Sequence, residues 1–506
     1  MTIELTNTID VIRNSLNGSI NRSERSKIGQ FLTPARIARF MASLFEQKRE
    51  HARILDPGAG AGVLFSAYVE AFISGKQRPR SIHVVAYEND ERILPYLKKA
   101  MERCESTCMK ADISFRGEIR EQDFIAAAIE ETEEGIFTIH HERFTHAILN
   151  PPYQKINGHS ATRGLLDSAG IPVSNLYAAF VWLTALMLEP GGELVAITPR
   201  SFCNGPYFRR FRIRFLDMMS LHRIHVFESR KKAFEDDDVL QENLIYHAVR
   251  GEGKPEHILL SSSESMDFEK AGRRFIPYNQ VVLPGDRDAF IHLALNDSDD
   301  RVMERMGAFV TPLVNLGVDV STGRVVDFRA REYLRPVPGD DTVPLIYPCH
   351  FESGFVNWPE KSGKKPDAIE ASEETRDLLV PTGYYVLTRR FSAKEEMRRV
   401  VAAIYDPGRI DAPFVGFENH LNYFHAKGKG LSEILAKGLA LYLNSSLFDQ
   451  YFRIFSGHTQ VNATDLRKMR YPSRDQLLRL GAHVKHRMPD QDAVDAILEK
   501  ESNIDG

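Results

Sequence analysis

The chain has 506 residues, with 65 Lys and Arg against 69 Asp and Glu, a formal net charge of −4. Hydrophobic residues make up 43% and charged residues 26%, a globular composition that excludes a disordered, collagen-like or disulfide-stapled chain. The near balance of charge gives no global attraction for a polyanion, so any such surface must be a local patch, and the length predicts two or three domains.

Residues 1–21 are polar and lack the apolar core of a signal peptide. Periodic apolar positions then predict a helix over 35–45, with Thr33 as its N-cap and Pro34 in its first turn. A strand over 53–55 runs into Asp56-Pro57-Gly58-Ala59-Gly60-Ala61-Gly62, followed by a helix over 63–72. Such a glycine turn lets the backbone approach a ligand, and it sits at the carboxyl end of a strand, where open α/β sheets bind ligands. A third glycine at the GxGxxG offset is missing, which disfavours a dinucleotide.

The next strand, over 82–87, delivers Glu88, an acid placed to accept two hydrogen bonds from a ribose diol. Cys104 and Cys108 fall on one helix face; with Cys203 and Cys349 they form no zinc spacing and suit a reducing cytoplasm. In Glu121-Gln122-Asp123-Phe124, Asp123 can accept from an adenine amino group and Phe124 can stack on a purine.

A strand over 146–149 leads into Asn150-Pro151-Pro152-Tyr153. An exocyclic amine of adenine is a poor nucleophile because its lone pair is delocalised into the ring. Two acceptors holding its N–H groups would push the nitrogen towards sp³ geometry. The Asn150 side-chain oxygen and the Pro151 carbonyl can supply them. The two prolines fix the backbone that aims them, and Tyr153 can stack on an extruded base.

Residues 154–172 read as a long polar loop beside this motif, a candidate lid. The apolar run 176–188 is too short for a bilayer, which needs ~20 residues, and predicts a buried helix; a strand over 193–198 follows. Residues 208–232 carry Arg209, Arg210, Arg212, Arg214, Arg223, Arg230, Lys231 and Lys232 against Asp217 and Glu228. That is a local basic patch, with Arg209, Arg210 and Lys231 as candidate phosphate contacts.

The polar, turn-rich residues 296–300 mark a domain boundary. Domains are expected at 1–295, 300–475 and 476–506. The second is rich in Gly, Pro and short strand-like runs over 313–413 and turns helical over 431–455; one or two charged helices follow Ser473. Its basic and polar runs, Arg389-Arg390, Arg398-Arg399, 425–430 and 456–467, carry side chains suited to reading base edges.

Together these motifs resemble the γ-group N6-adenine DNA methyltransferases of restriction–modification systems, within the class I S-adenosylmethionine (SAM)-dependent methyltransferases. Gly29-Gln30-Phe31-Leu32-Thr33-Pro34 matches the group's N-terminal SAM motif, and the stretch 174–180 looks like its PstI-type branch. The resemblance covers residues 29–243 and scattered pieces of the C-terminal half. It implies an α/β fold: a Rossmann-like catalytic domain with a mostly parallel sheet, then an α+β target-recognition domain. It implies SAM as cofactor, contacted by Thr33, Asp56, Gly58, Gly60, Glu88, Asp123, Phe124 and Pro152. Asn150, Pro151, Pro152 and Tyr153 would handle the base, with Phe234, or alternatively Phe227, closing its other face. The implied partners are duplex DNA and a cognate restriction endonuclease, in the cytoplasm, with no membrane.

The rival readings are a protein (glutamine) or RNA methyltransferase sharing the tetrapeptide, a methylase–nuclease fusion, and a degenerate fold that only binds DNA. Pro489-Asp490 and Glu499-Lys500-Glu501 do not have nuclease spacing, and the intact Asn150 and Tyr153 argue against degeneracy.

Overall fold

Strand β1 (His51–Asp56) lies inside a sheet covered on both faces. Leu55 enters one core with Val85, Ala147 and Leu149. Its neighbour Ile54 enters the opposite core with Val84, Ala86 and Ile148. Successive side chains of a strand point to opposite faces, so strands buried on both read as near-continuous apolar runs.

The structure is a computed structural model, which describes residues 4–19, 32–47, 49–75, 77–133, 143–227, 242–263, 266–359, 365–392, 396–456 and 460–502. The chain divides into two units, Met1–Leu295 and Asn296–Gly506.

In the first unit β1 pairs in parallel with β2 (Ser81–Tyr87), which pairs with β3 (Ser114–Arg120). On its other side β1 meets β4 (Phe144–Leu149), which pairs in parallel with β5 (Leu188–Pro199). Beyond these come β6 (Met219–Phe227), β7 (Asn243–Arg250), β8 (His257–Ser263) and β9 (Gly272–Pro277). Among the described residues the order is β3-β2-β1-β4-β5-β7-β6-β8-β9, with β7 antiparallel to both its neighbours. The strand order reverses direction between β1 and β4, the crevice where open sheets take ligands.

Helices α1 (Leu5–Ser19), α2 (Ala35–Ala42), α3 (Val63–Ser74) and α4 (Leu94–Lys110) cover one face. Helices α5 (Phe124–Glu133), α6 (Ala161–Ser168), α7 (Leu176–Met187) and α8 (Arg209–Met218) cover the other. In α7, 10 of 12 residues are buried, which is why the sequence is apolar all round.

Several expectations need correction. Helix α2 ends at Ala42, short of residue 45, and Thr33 does not cap it: the residue before the helix is Pro34, and the Ala35 amide donates instead to Asp10 Oδ1 of α1 (3.2 Å). The polar N-terminal stretch is itself a helix that buries Leu5 and Ile9. Residues 154–172 are not an open loop: Lys155 bridges Asn175, and α6 forms within, its N-cap Ser160 accepting from the Arg163 amide.

A buried pair ties the connection after α2 to the sheet. Glu193 accepts from His247 Nε2 (2.9 Å) and from the backbone amides of Glu46 and Gln47. Burial alone would raise the Glu193 carboxyl, but His247 and the backbone amide of Glu46 more than offset it and hold it below the usual range.

The second unit opens on α9 (Asp297–Gly307). The polar residues 296–300 are therefore a helix start: Asn296 accepts from the Asp299 amide (2.9 Å), and three aspartates favour the positive end of the helix dipole. Short strands follow in two larger sheets. One runs Asp319–Thr322, Leu421–His425, Tyr385–Arg389, Ala402–Tyr405 and on to Phe351–Glu352; the other centres on Thr342–Ile346 and Phe414–Phe417. Helices α10 (Glu433–Leu443), α11 (Ser446–Phe455), α12 (Ala463–Lys468), α13 (Arg474–Ala482) and α14 (Gln491–Ser502) complete an α+β unit. Residue 476, where a separate tail was expected to begin, lies inside α13. That helix packs so closely on α10 that a Cβ at Gly438 would stand 1.8 Å from the Leu477 carbonyl oxygen.

Candidate active site

The turn after β1 is shaped by two glycines with positive φ, Gly60 at 53° and Gly62 at 83°. A Cβ on Gly62 would come within 2.8 Å of Ala100, and one on Gly60 within 2.9 Å of Leu32. Gly58 fronts the ring of Phe180, with room for little beyond van der Waals contact. The close approach follows from the absence of side chains here.

Two acids stand behind and beside this turn. Asp56 is fully buried, and neither carboxylate oxygen reaches a hydrogen-bond partner in good geometry. Burial lifts its pKa to about 8; the nearby amides of Gly58 and Phe65 offset only part of that, and Glu88 adds to it. Glu88 is largely buried at the end of β2. Its Oε2 accepts from the Gly60 amide (3.1 Å), its Oε1 from Asn89 (2.9 Å) and Asp90 (2.8 Å). Burial raises this carboxyl too, and those amides counter it.

These elements border a cavity of about 580 Å³, lined among others by Leu32, Gly58, Gly60, Glu88, Asp123, Phe124, Asn150, Pro152 and Phe180. Asp123 is exposed at its rim and accepts from the Ala126 amide (2.9 Å), capping α5. Phe124 is buried, its ring 5.0 Å from Phe180 and 5.1 Å from Tyr87. Asp56 is not part of the lining.

Asn150 follows β4 and contributes to the same wall. Its Nδ2 donates to Thr33 Oγ1 (3.0 Å), and its Oδ1 accepts from the Tyr153 hydroxyl (2.9 Å). Thr33, Asn150 and the glycine turn also enclose a recess of about 20 Å³ that adjoins the larger cavity through Leu32, Gly58, Gly60 and Asn150. Pro151 is buried and Pro152 half-buried. Tyr153 is buried with its ring edge-on to Tyr177, and burial raises its hydroxyl well beyond the usual tyrosine range. Phe227 is a core residue packed against His225 and Phe268. Phe234 lies outside the described residues.

Some lining residues fell within the quoted motifs without being singled out as site residues. Phe180 sits on a helix apolar all round, and Leu32 packs with Ala61 and Ile93. Arg92 forms a two-bond ion pair with Asp90 at the rim (2.9 and 2.7 Å), and those bonds hold the Asp90 carboxyl below its usual range.

The basic run divides. Arg212 is fully buried and donates to the carbonyls of Phe202, Gly205 and Asp288, so it is a structural cation and no phosphate ligand. Arg223 pairs with Glu46 and Arg214 with Asp217. Arg209 pairs with Asp288 (2.9 Å) while half its side chain stays accessible, and Arg210 is exposed. Arg230, Lys231 and Lys232 lie outside the described residues. In the second unit Arg399 is buried against Ser392 and Phe452. Lys427 and Lys429 are exposed at a turn closed by reciprocal bonds between Ala426 and Lys429.

The residues fit SAM. Among the described residues, the lining carries Glu88, Asp90, Glu91 and Asp123 against Arg92, the complement of a cationic sulfonium, and it offers aromatic rings and a carboxylate for an adenosine. Among these residues no group of His, Cys, Asp and Glu could hold a metal ion, and no helix is long and apolar enough to cross a membrane.

A family model described as the Eco57I restriction-modification methylase matches residues 65–234. The chain is 44% identical over 497 residues to the Type II methyltransferase M.PstI of Providencia stuartii, covering 98% of this chain and 97% of that one. It is 45% identical over 484 residues to the Type II methyltransferase M.BsuBI of Bacillus subtilis, covering 95% and 94%. The solved Type IIL restriction-modification enzyme MmeI in complex with DNA superposes with a TM-score of 0.54 at 11% identity, over 99% of this chain and 74% of its own, a likeness of fold.

Proposed function

Since the chain belongs to the family of Type II restriction–modification methyltransferases that includes M.PstI and M.BsuBI, and so is a DNA methyltransferase that uses SAM, we propose that it methylates N6 of an adenine turned out of the duplex. The observation that carries the proposal is Asn150: its side chain lines the cavity of the glycine turn, with its amide hydrogen-bonded at both ends.

Bound SAM supplies an electrophilic methyl group. The work of the chain is to hold the acceptor. In this mechanism Asn150 Oδ1 and the Pro151 carbonyl accept hydrogen bonds from the two N6–H groups, which stay bonded to N6, so the nitrogen's lone pair turns out of the ring's conjugation and faces the cavity. An amide oxygen has two lone pairs, so Asn150 can keep the Tyr153 hydroxyl while accepting one N6 proton. The ring of Tyr153 stacks on the extruded base and offsets part of the unstacking cost; Phe234 closes the opposite face. Glu88 would hold the ribose, Asp123 and Phe124 the adenine of the cofactor, and Thr33, Gly58, Gly60 and Pro152 its remaining surface, with Asp56 buried behind the glycine turn rather than in contact with the cavity. Arg209, Arg210 and Lys231 contact phosphate, and the second unit reads the target sequence.

The biological setting that suits this activity is the cytoplasm, beside a companion endonuclease from whose cutting the methyl mark protects. A protein or RNA acceptor is not favoured, because the relatives that match nearly the whole chain, second unit included, are Type II methyltransferases.

The test is to expose plasmid DNA to the purified protein and SAM, digest it to nucleosides and identify the methylated one. N6-methyladenine at one sequence context is expected. N4-methylcytosine, or methylation of protein or RNA alone, would replace the proposal.

A further inference from the structure

Tyr207 stands in the connection between β5 and α8 and is 79% exposed. A lone exposed ring is ordinary on a protein surface. Two features of this connection set it apart, and the first is how its backbone is held. The Gly205 amide donates to the Ser201 carbonyl (3.0 Å), and the Phe208 amide to the Gly205 carbonyl (3.1 Å). The buried guanidinium of Arg212 donates to the carbonyls of Phe202 (2.8 Å) and Gly205 (3.0 Å). Charge-assisted bonds of this kind are strong, and here they pin the turn that carries the tyrosine.

The second feature is what the connection rests on. Phe208, the next residue, is buried and stacks on Tyr177, with ring centroids 5.3 Å apart. Tyr177 meets Tyr153 edge-on at 6.3 Å, and its hydroxyl lies 2.9 Å from Ser201 Oγ, at the start of the same turn. The ring that backs Tyr153 is therefore also the floor of this connection. Just beyond Tyr207 come two accessible cations: Arg209, half of whose side chain is open, and Arg210, which is exposed.

A base that leaves the duplex opens a gap, and the bases on either side of it lose a stacking partner. A flat ring can enter such a gap and replace part of the lost stacking. A ring on a pinned backbone gives up little freedom when it does so, and the cations beside it suit the phosphates along the strand. We propose that Tyr207 enters the duplex where the adenine leaves it and so holds the base in the extruded state. This role rests on the extrusion proposed above and deepens it: the connection after β5 is the element that meets the opened duplex.

The test uses the full-length protein, Tyr207→Ala, and Tyr207→Phe, which keeps the ring. Single-turnover methyl transfer at saturating SAM is measured on two duplexes with the mapped target site. In one the target adenine faces thymine; in the other it faces a base that does not pair with it, so that extrusion costs less. Each variant is compared with the wild type on the same duplex, and any loss of folded protein then lowers both rates alike. Tyr207→Ala should be slower by at least about tenfold on the paired duplex and by no more than about threefold on the mispaired one. Tyr207→Phe should stay within about threefold of wild type on both. Any other pattern overturns the proposal: a wild-type rate for Tyr207→Ala on the paired duplex, equal slowing on both duplexes, or a phenylalanine variant that fails like the alanine one. A wild-type protein that methylates adenine in neither duplex would instead sink the underlying function, so the two failures are distinguishable.

Discussion

The Tyr153 hydroxyl donates a 2.9 Å hydrogen bond to the side-chain oxygen of Asn150, three residues before it. The tetrapeptide thus folds back on itself, so that the group proposed to hold the reacting amine and the ring proposed to stack on the base are one hydrogen-bonded unit. The two roles of Tyr153 can be separated by substitution.

Tyr153→Ala should leave SAM affinity nearly unchanged and lower methylation by about tenfold to a hundredfold, as expected for lost base stacking of ~1–3 kcal/mol. Tyr153→Phe keeps the ring and should lose less. Single-turnover rates with saturating SAM measure both. An alanine variant as fast as the phenylalanine one would remove the stacking role.

Glu88 has both oxygens engaged by backbone amides, including that of Gly60 in the glycine turn. Glu88→Ala removes the proposed ribose acceptor together with this brace. SAM affinity measured by calorimetry should fall by more than about tenfold, since hydrogen bonds to a charged group contribute ~1.5–3 kcal/mol. Unchanged affinity would mean that the cofactor lies elsewhere.

The pH response of the cofactor-free protein should carry the mark of Asp56. Burial raises its carboxyl from 3.8 to about 8, so the folded state keeps a proton that the unfolded chain releases. Stability from this group is therefore full below 3.8, is lost as pH rises towards about 8, and stays lost above it. Asp56→Asn removes the titration. Its thermal midpoint should exceed that of the wild type at about pH 8 and approach it at about pH 4. Parallel curves for the two proteins would contradict the burial argument.

Much of the first unit was legible because the central parallel strands β1, β2 and β4 are largely buried and each ends in a chemically marked turn: Asp56–Gly62, Glu88, Asn150–Tyr153. What the sequence hid was hidden for physical reasons. Helix α1 buries only a narrow stripe around Leu5 and Ile9, and its Asp10 and Arg13 act on Ala35 and Leu32 across the chain. Phe180 is one apolar residue among many on α7, and only folding shows which ring meets the cavity. The run of arginines after Phe208 has the composition of a phosphate-binding face, yet position along the helix decides between carbonyls, carboxylates and solvent.

That division gives a contrast within one helix. Arg210→Ala should weaken DNA binding uniformly across sequences and reduce the salt slope by about one, leaving the thermal midpoint unchanged. Arg212→Ala strips hydrogen bonds from three buried carbonyls and should cost on the order of 2–4 kcal/mol of stability. Calorimetric melting and binding isotherms at several salt concentrations distinguish them; a destabilised Arg210 variant would show that α8 has been misread.

The most direct measurement compares Asn150→Ala with the wild type in two ways: SAM binding at equilibrium, and single-turnover methyl transfer to adenine in target duplex. The account predicts SAM affinity within about threefold of wild type and transfer slowed by about a thousandfold, the size of effect seen when a donor or acceptor aimed at the reacting atoms is removed. Transfer within about tenfold of wild type would contradict it, because the acceptor oxygen on which the chemistry is built would then be dispensable.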